Sequence, residues 1–480
     1  MNTPPRDLLA LSLVLLLVIS SASLYGQGSR YELGQRLREF EGHFERTLDP
    51  VARGRSLPAM ESAVTAFFSL RMGRVAESLD EARFALLSDR PPTDAERYLA
   101  SLSLRAMPAL RDPSDGAVVL SLRQMYKPTV KIPAELSIKL QLEGEDPLVL
   151  PVERVPAELR LSVRKDLFGD RWLTAEFHVE EKPMRSSRQL LCFVPRFTER
   201  LEALKRVADD QTMAAHPHDQ ATLRARVADL AALASTAGLE TDLPGSQWMA
   251  FAEELAAAKG ADQPRISNTL RGEQWLSFAI PGQGAAIPVR MWLPPILKEQ
   301  ESPKIPVVVA LHGAGGSENM FFDGYGVGKA RHLCESRGYA LICPRGGMMG
   351  SPPVVDLVDA LAQIYPLDRE QIHLLGHSMG AGNALQVARK SPQRLKSLAL
   401  ISAGAGRAHP SLAQLPIFLA TADRDFSRGS TKRLADALMT GEEHRTTYRE
   451  YAGAEHLLVV QVALPDVFQF FDVHQADSER

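Results

Sequence analysis

The chain has 480 residues, 45 % of them hydrophobic and 24 % charged, enough apolar matter for several globular domains and far from the composition of a disordered protein. Its formal net charge of -3 leaves no overall basic field to hold a polyanion, so nucleic acid is not expected as a partner. Three cysteines, Cys192, Cys334 and Cys343, are an odd and sparse set that does not make a disulfide framework; Cys334 and Cys343 lie where a bridge is conceivable, but buried thiols are the expectation.

In chain order, Met1 and Arg6 supply a weakly positive start, Leu8 to Ile19 is an apolar run broken only by Ser12, and Ser20 to Gly28 is small and polar. This is the pattern of an export signal over residues 1–26, weakened by Asp7 and by a poor cleavage fit around Gly26. A mature chain starting near Gln27, periplasmic or secreted, is expected. The run is shorter than the ~20 residues of a spanning helix, so an uncleaved anchor is the lesser expectation and no membrane span is expected after cleavage.

Residues 27–112 read as a helical domain. Leu33, Leu37, Phe40, Phe44 and Leu48 recur at three- and four-residue steps, and Ala63 to Leu87 continues in helical style with Gly73 between two amphipathic halves. One such pair resembles a tetratricopeptide unit, but a lone unit cannot bury its faces, and a small helical packing domain is expected instead. Over residues 113–196 the period changes to two: Leu136, Ile138, Leu140 and Leu142 alternate with polar neighbours, as do Leu173, Ala175, Phe177 and Val179, predicting a small β-sandwich-like domain. Residues 197–262 are a helical connector, broken at His216-Pro217-His218, which reads as a solvated loop rather than a metal site.

From about Ser267 to the end at 480, strand and helix alternate, predicting a mostly parallel sheet with helices on both faces. Trp275 to Ile280 and Ile287 to Leu293 form an opening hairpin; Ile305 to Leu311 is apolar on both faces and ends at His312-Gly313-Ala314-Gly315-Gly316. The apolar run Gln371 to Leu375 then leads into Gly376-His377-Ser378-Met379-Gly380 and a helix from Ala381. Strand, GxSxG and helix in that order make a nucleophile elbow: a strained turn that exposes a serine hydroxyl, with glycines keeping Cβ atoms out of the tight contact. Serine is a poor nucleophile until a base takes its proton, so a histidine and an acid are expected further along.

With the LHGAGG loop and GHSMG elbow in hand, the stretch from His312 to His456 resembles the α/β-hydrolase superfamily. It is similar to secreted esterases of the polyhydroxybutyrate-depolymerase, feruloyl-esterase and dienelactone-hydrolase type and to prolyl-oligopeptidase-like peptidases. The resemblance covers roughly the last 210 residues and implies a Ser-His-Asp triad, an acyl-enzyme, and neither cofactor nor metal. After the strands Leu395 to Ile401 and Pro416 to Ala420 the first acids are Asp423 and Asp425. The wording TADRDF is similar to the family's G-x-x-D-x-x-V turn, which favours Asp423, with Asp425 as the alternative. His444, His456 and His474 are the histidines that follow, and His456, beyond the strand Thr446 to Tyr451, is the expected base.

The oxyanion hole is expected from the backbone N–H groups of Met379 and Ala314, with Gly313, Gly315 and Gly316 letting that loop approach a carbonyl. Gly376, Gly380, His377 and His312 shape the elbow and loop. About fourteen residues separate the strands that precede the acid, too few for a large cap. An open site favours small-molecule or polymer-attached esters, with Phe321, Phe322, Tyr325, Met348 and Met349 as candidates for its mouth. The expected activity is carboxylic ester hydrolysis. A serine peptidase and a non-catalytic binding protein on the same scaffold are the alternatives, and the sequence is silent on oligomeric state.

Overall fold

In this computed structural model the described residues are 27–236, 239–267, 269–295, 304–346, 351–404, 406–440 and 444–476. The export signal read over 1–26, Met348 and Met349 lie outside them. The chain divides into two units: one holds residues up to 37, 62–204 and 226–253, the other 38–61, 205–225 and 254 onward.

The front of the chain is helical, with α1 (Gln27–Arg46), α2 (Pro50–Phe68), α3 (Met72–Leu87) and α4 (Asp94–Ser101). Helix α4 starts at a reciprocal cap in which Thr93 Oγ1 accepts the Glu96 N–H and the Glu96 carboxylate accepts the Thr93 N–H at 2.7 Å. Strands follow at β1 (Leu102–Ala106), β2 (Leu110–Arg111), β3 (Ala117–Gln124), β4 (Leu136–Leu142), β5 (Leu148–Pro151), β6 (Ala157–Ser162), β7 (Gly169–Val179) and β8 (Lys182–Phe193). They form a three-stranded sheet in the order β1-β3-β6 and a five-stranded sheet in the order β2-β8-β7-β4-β5. The inward residues of both, among them Leu120, Leu122, Ile138, Leu140, Phe177 and Phe193, share one apolar core, which is how two sheets make a sandwich. Strand pairing begins at Leu102, within the stretch read as helical. Leu102–Ala106 is buried on both faces, so it carries no alternation for a periodicity argument to detect.

Helices α5 (Phe197–Ala208), α6 (Pro217–Leu233) and α7 (Gly245–Ala257) come next. The segment His216-Pro217-His218, read as a solvated loop, is instead the start of α6: His216 precedes the helix with its Nε2 2.8 Å from the Ala261 carbonyl oxygen, and His218 lies in the first turn and packs against Phe278 at 5.0 Å. Among the described residues no cluster of three or more His, Cys, Asp or Glu could hold a metal ion, and all three cysteines are free and buried.

The second unit is built on an eight-stranded sheet: β9 (Gly272–Phe278), β10 (Ile287–Leu293), β11 (Ile305–Leu311), β12 (Ala340–Pro344), β13 (Leu367–His377), β14 (Ser397–Ile401), β15 (Ile417–Ala422) and β16 (Thr446–Tyr451). Their spatial order is β16-β15-β14-β13-β11-β12-β10-β9, antiparallel at the β9-β10-β12 end and parallel from β12 to β16. The chain goes from β11 out to β12, then jumps back across β11 to β13 and continues the other way. β11 and β13 therefore flank the point where the strand order reverses, and open parallel sheets hold their sites outside the carboxyl ends of such strands. Val307 to Leu311, Leu374, Leu375 and Leu398 to Ile401 are almost wholly buried because helices cover both faces. The covering helices are α8 (Met320–Asp323), α9 (Tyr325–Arg337), α10 (Val354–Ala362), α11 (Met379–Lys390), α12 (Arg428–Leu438) and α13 (Leu458–Ala476).

The sequence reading starts this region at Ser267, and the unit also takes in earlier residues. Glu41 accepts the Gly326 N–H, Glu45 pairs with Lys329 at 2.6 Å, Thr222 exchanges hydrogen bonds with the Ser277 backbone, and Asp219 accepts the Arg265 and Ile266 N–H groups.

Candidate active site

β13 ends at His377, and α11 begins at Met379, so Ser378 alone makes the turn. It does so at φ 54° and ψ -115°, a strained conformation for a residue with a side chain, of order 1–3 kcal/mol, held by its N–H bond to the Ile401 carbonyl at 2.9 Å. The flanking glycines are required by contact: a Cβ at Gly376 would lie 2.3 Å from the Gly380 carbonyl oxygen, and one at Gly380 would lie 2.1 Å from that of Leu311. Any larger residue would drive α11 away from β11 and β13 and carry Ser378 with it.

Ser378 Oγ lies 3.0 Å from His456 Nε2. On the other side of the ring, His456 Nδ1 lies 2.9 Å from Oδ1 of Asp425. The carboxylate there is an acceptor only, so Nδ1 carries the proton and Nε2 is left free to accept one from serine. The structure thus brings together Ser378, His456 and Asp425. It does not bring Asp423 to the imidazole. Asp423 is exposed, and its Oδ1 accepts the Gly453 N–H at 3.0 Å and the Ala454 N–H at 3.5 Å, bracing the turn that leads to His456. The preference for Asp423 is therefore corrected to Asp425. The Asp423 N–H still bonds to Tyr451, continuing the pairing of β15 with β16, and the chain turns away only afterwards, where the Asp425 N–H bonds back to Ala422.

Asp425 is 5 % exposed and densely bonded. Its Oδ1 also accepts the Ser427 N–H, and Oδ2 accepts the hydroxyls of Ser402, Thr421 and Ser427 at 2.5 to 3.1 Å. Burial works to raise its pKa, but the His456 contact and these donors outweigh that and hold the carboxyl well below the usual carboxylate range. Ser402 and Thr421 went unread in the sequence: single hydroxyls at strand ends carry no pattern.

The two other motif histidines are braces. His377 Nε2 lies 2.9 Å from the His456 carbonyl oxygen and must donate to it, so Nδ1 is the acceptor, taking the Tyr325 hydroxyl proton at 2.7 Å. Burial pushes the His377 pKa down to about 3, keeping the ring neutral. The Tyr325 oxygen in turn accepts the Gly313 N–H at 3.3 Å. One chain of hydrogen bonds therefore links the glycine loop after β11, the residue before Ser378 and the backbone of His456. His312 Nε2 accepts the Gly346 N–H at 3.0 Å, which leaves Nδ1 to donate to the Gly313 carbonyl at 2.9 Å.

Ala314 sits between Gly313 and Gly315 (φ 76°) in this loop, with Gly316 completing its turn through an N–H bond to Gly313. Met379 opens α11, so its N–H is one of the first-turn donors that lack an intrahelical acceptor. Phe321, Phe322 and Tyr325, expected at the mouth, are instead buried at 1, 6 and 2 % exposure, because α8 and the start of α9 tuck under the loop. Phe426, 67 % exposed, stands against the His456 ring.

Residues 306–447 match the family model of the alpha/beta hydrolase fold, and the sheet order and elbow agree: the C-terminal region has the α/β-hydrolase fold. Among solved structures the chain is similar to the S-formylglutathione hydrolase of Staphylococcus aureus, at 13 % identity over 42 % of this chain and 98 % of that one, with a TM-score of 0.36. It is likewise similar to the S-formylglutathione hydrolase of Agrobacterium tumefaciens (17 % identity, 43 % and 97 % covered, TM-score 0.35) and to the feruloyl esterase module of Clostridium thermocellum (13 %, 44 % and 92 %, 0.35). No curated protein matches the chain.

Proposed function

We propose that the protein is an exported serine hydrolase that cleaves carboxylic esters through Ser378, His456 and Asp425. The observation that carries the reading is the unbroken line of hydrogen bonds from a buried carboxylate through one imidazole to a serine on a strained elbow. In this reading Ser378 Oγ attacks the ester carbonyl as its proton passes to His456 Nε2, and Asp425 stabilises the resulting imidazolium. The Met379 and Ala314 N–H groups receive the oxyanion, each worth ~3 kcal/mol of barrier on the usual scale of such donors. His456 returns the proton to the departing alcohol, and water repeats the sequence on the acyl-enzyme.

Only residues 402–416 join β14 to β15, which argues for an uncapped site and for short-acyl, bulky or polymer-attached esters over long lipid chains. Among the described residues no helix is long and apolar enough to cross a membrane, and export rests on the signal pattern of residues 1–26. The test is a panel of short p-nitrophenyl esters and a proline-linked peptide amide, run beside fluorophosphonate labelling of the parent and Ser378→Ala. Ester turnover with labelling lost in the variant is expected. Faster turnover of the amide would overturn the ester reading, and a label that persists in Ser378→Ala would put the nucleophile elsewhere.

A further inference from the structure

The Phe426 ring lies with its centroid 4.1 Å from that of His456, tilted 32°, while 67 % of the residue remains exposed. Its backbone is held on both sides: Asp425 binds the imidazole, Asp425 Oδ1 accepts the Ser427 N–H, and the Arg428 N–H bonds to the Asp425 carbonyl. Single exposed apolar side chains recur on this surface, Phe168 at 56 % and Phe68 at 46 % among them, so what sets Phe426 apart is its contact with the imidazole. What it covers is one face of the group that protonates the leaving alcohol.

That position selects a side of the substrate. In the collapse of the tetrahedral intermediate the bond from the former carbonyl carbon to the ester oxygen breaks, the oxyanion re-forms the C=O of an acyl group now esterified to Ser378 Oγ, and the proton taken from Ser378 moves from His456 Nε2 to the ester oxygen, releasing a neutral alcohol. The leaving oxygen must then stand within about 3 Å of Nε2, so the alcohol's own carbons lie beside whatever covers the imidazole. We propose that Phe426 is a specificity-determining residue on the alcohol side, so that the enzyme prefers esters of arylmethyl or similarly flat apolar alcohols. This rests on the ester-hydrolase reading above.

The experiment compares benzyl butyrate with ethyl butyrate, whose acyl parts are identical and whose alcohols both need protonation, on the full chain, Phe426→Ala and Phe426→Trp. An offset aromatic contact of ordinary strength corresponds to about a three- to tenfold effect. The parent is expected to favour the benzyl ester. Phe426→Ala should lose about that factor on benzyl butyrate, chiefly through KM, with a fall under twofold on ethyl butyrate, and Phe426→Trp should keep the preference. Equal losses on both esters, which leave their ratio unchanged, would overturn the proposal by making Phe426 a support for His456, and no loss on either ester would overturn it outright. A parent that turns over ethyl butyrate and takes the fluorophosphonate label while the ratio stays unmoved defeats this inference alone. A parent that does neither defeats the ester-hydrolase reading and this one with it.

Discussion

Replacing Asp425 with Asn gives a result that the site's hydrogen bonds fix in detail. The simplest expectation for such a change is that the amide N–H2 turns to the imidazole and forces the wrong tautomer, at a cost near 10⁴-fold in kcat. Here the amide is not free to turn. Oδ1 of Asp425 accepts the Ser427 N–H as well as His456 Nδ1, and a backbone N–H can only donate, so the amide oxygen must stay on that side. The NH2 then faces the hydroxyls of Ser402, Thr421 and Ser427, which can rotate to accept. The tautomer survives and the charge is lost. A hydrogen bond to a charged group contributes about 1.5–3 kcal/mol against 0.5–1.5 for a neutral one, a difference of about 1–2 kcal/mol, or roughly 5- to 30-fold in kcat. Asp425→Ala removes the tether as well and should cost more. Asp423→Asn, at an exposed turn whose acceptor oxygen it keeps, should stay within threefold. Steady-state kinetics on one short ester with all three purified variants decides the matter. Loss of activity in Asp423→Asn with Asp425→Asn unaffected would refute the assignment, and a 10⁴-fold loss in Asp425→Asn would refute the argument for a locked amide.

Tyr325→Phe keeps the buried ring and removes the hydroxyl between His377 and Gly313, leaving two buried groups unpaired at about 1–3 kcal/mol each. The melting temperature and kcat should both fall, kcat by about tenfold, with KM within twofold; a rise in KM at constant kcat would contradict a positioning role. Glu41 is fully buried, and burial raises its pKa to about 8. The unfolded chain therefore ionises above about 4.5 while the folded one keeps its proton, so this group's contribution is complete below that pH and drains away as pH rises toward 8, at about 1.4 kcal/mol per unit. Glu41→Gln should raise the melting temperature at pH 8 and leave it unchanged at pH 4, and the reverse order would refute the account. A chain starting at Ser267 loses Glu41, Glu45, Asp219 and Thr222 from the unit that carries the site; it should not give a cooperative thermal transition, and a soluble, active fragment with such a transition would show those contacts to be dispensable.

Much of the fold of the C-terminal region was legible because its signals are local. An apolar run such as Val307 to Val309 must be covered on both faces, and a serine between glycines that no larger residue can replace marks an elbow wherever it follows a strand. Such features are read from residues within about ten positions of each other, even where, as at Gly380 against Leu311, the contact they serve is distant. Ser378 and His456 belong to this class, one by its motif and the other by its place after the last strand.

Tertiary structure decided the rest. Asp423 and Asp425 are two residues apart on one turn, and the choice between them depends on whether β15 keeps pairing with Tyr451 for one more residue, a long-range hydrogen bond that composition and periodicity do not encode. The same holds for Tyr325, whose hydroxyl meets His377 across 52 positions, and for Glu41, whose carboxylate meets Gly326 across 285. Order along the chain determined which residue types were on offer; packing determined which of them touch, because a side chain's partner is set by where the sheet and its covering helices bring distant backbone together.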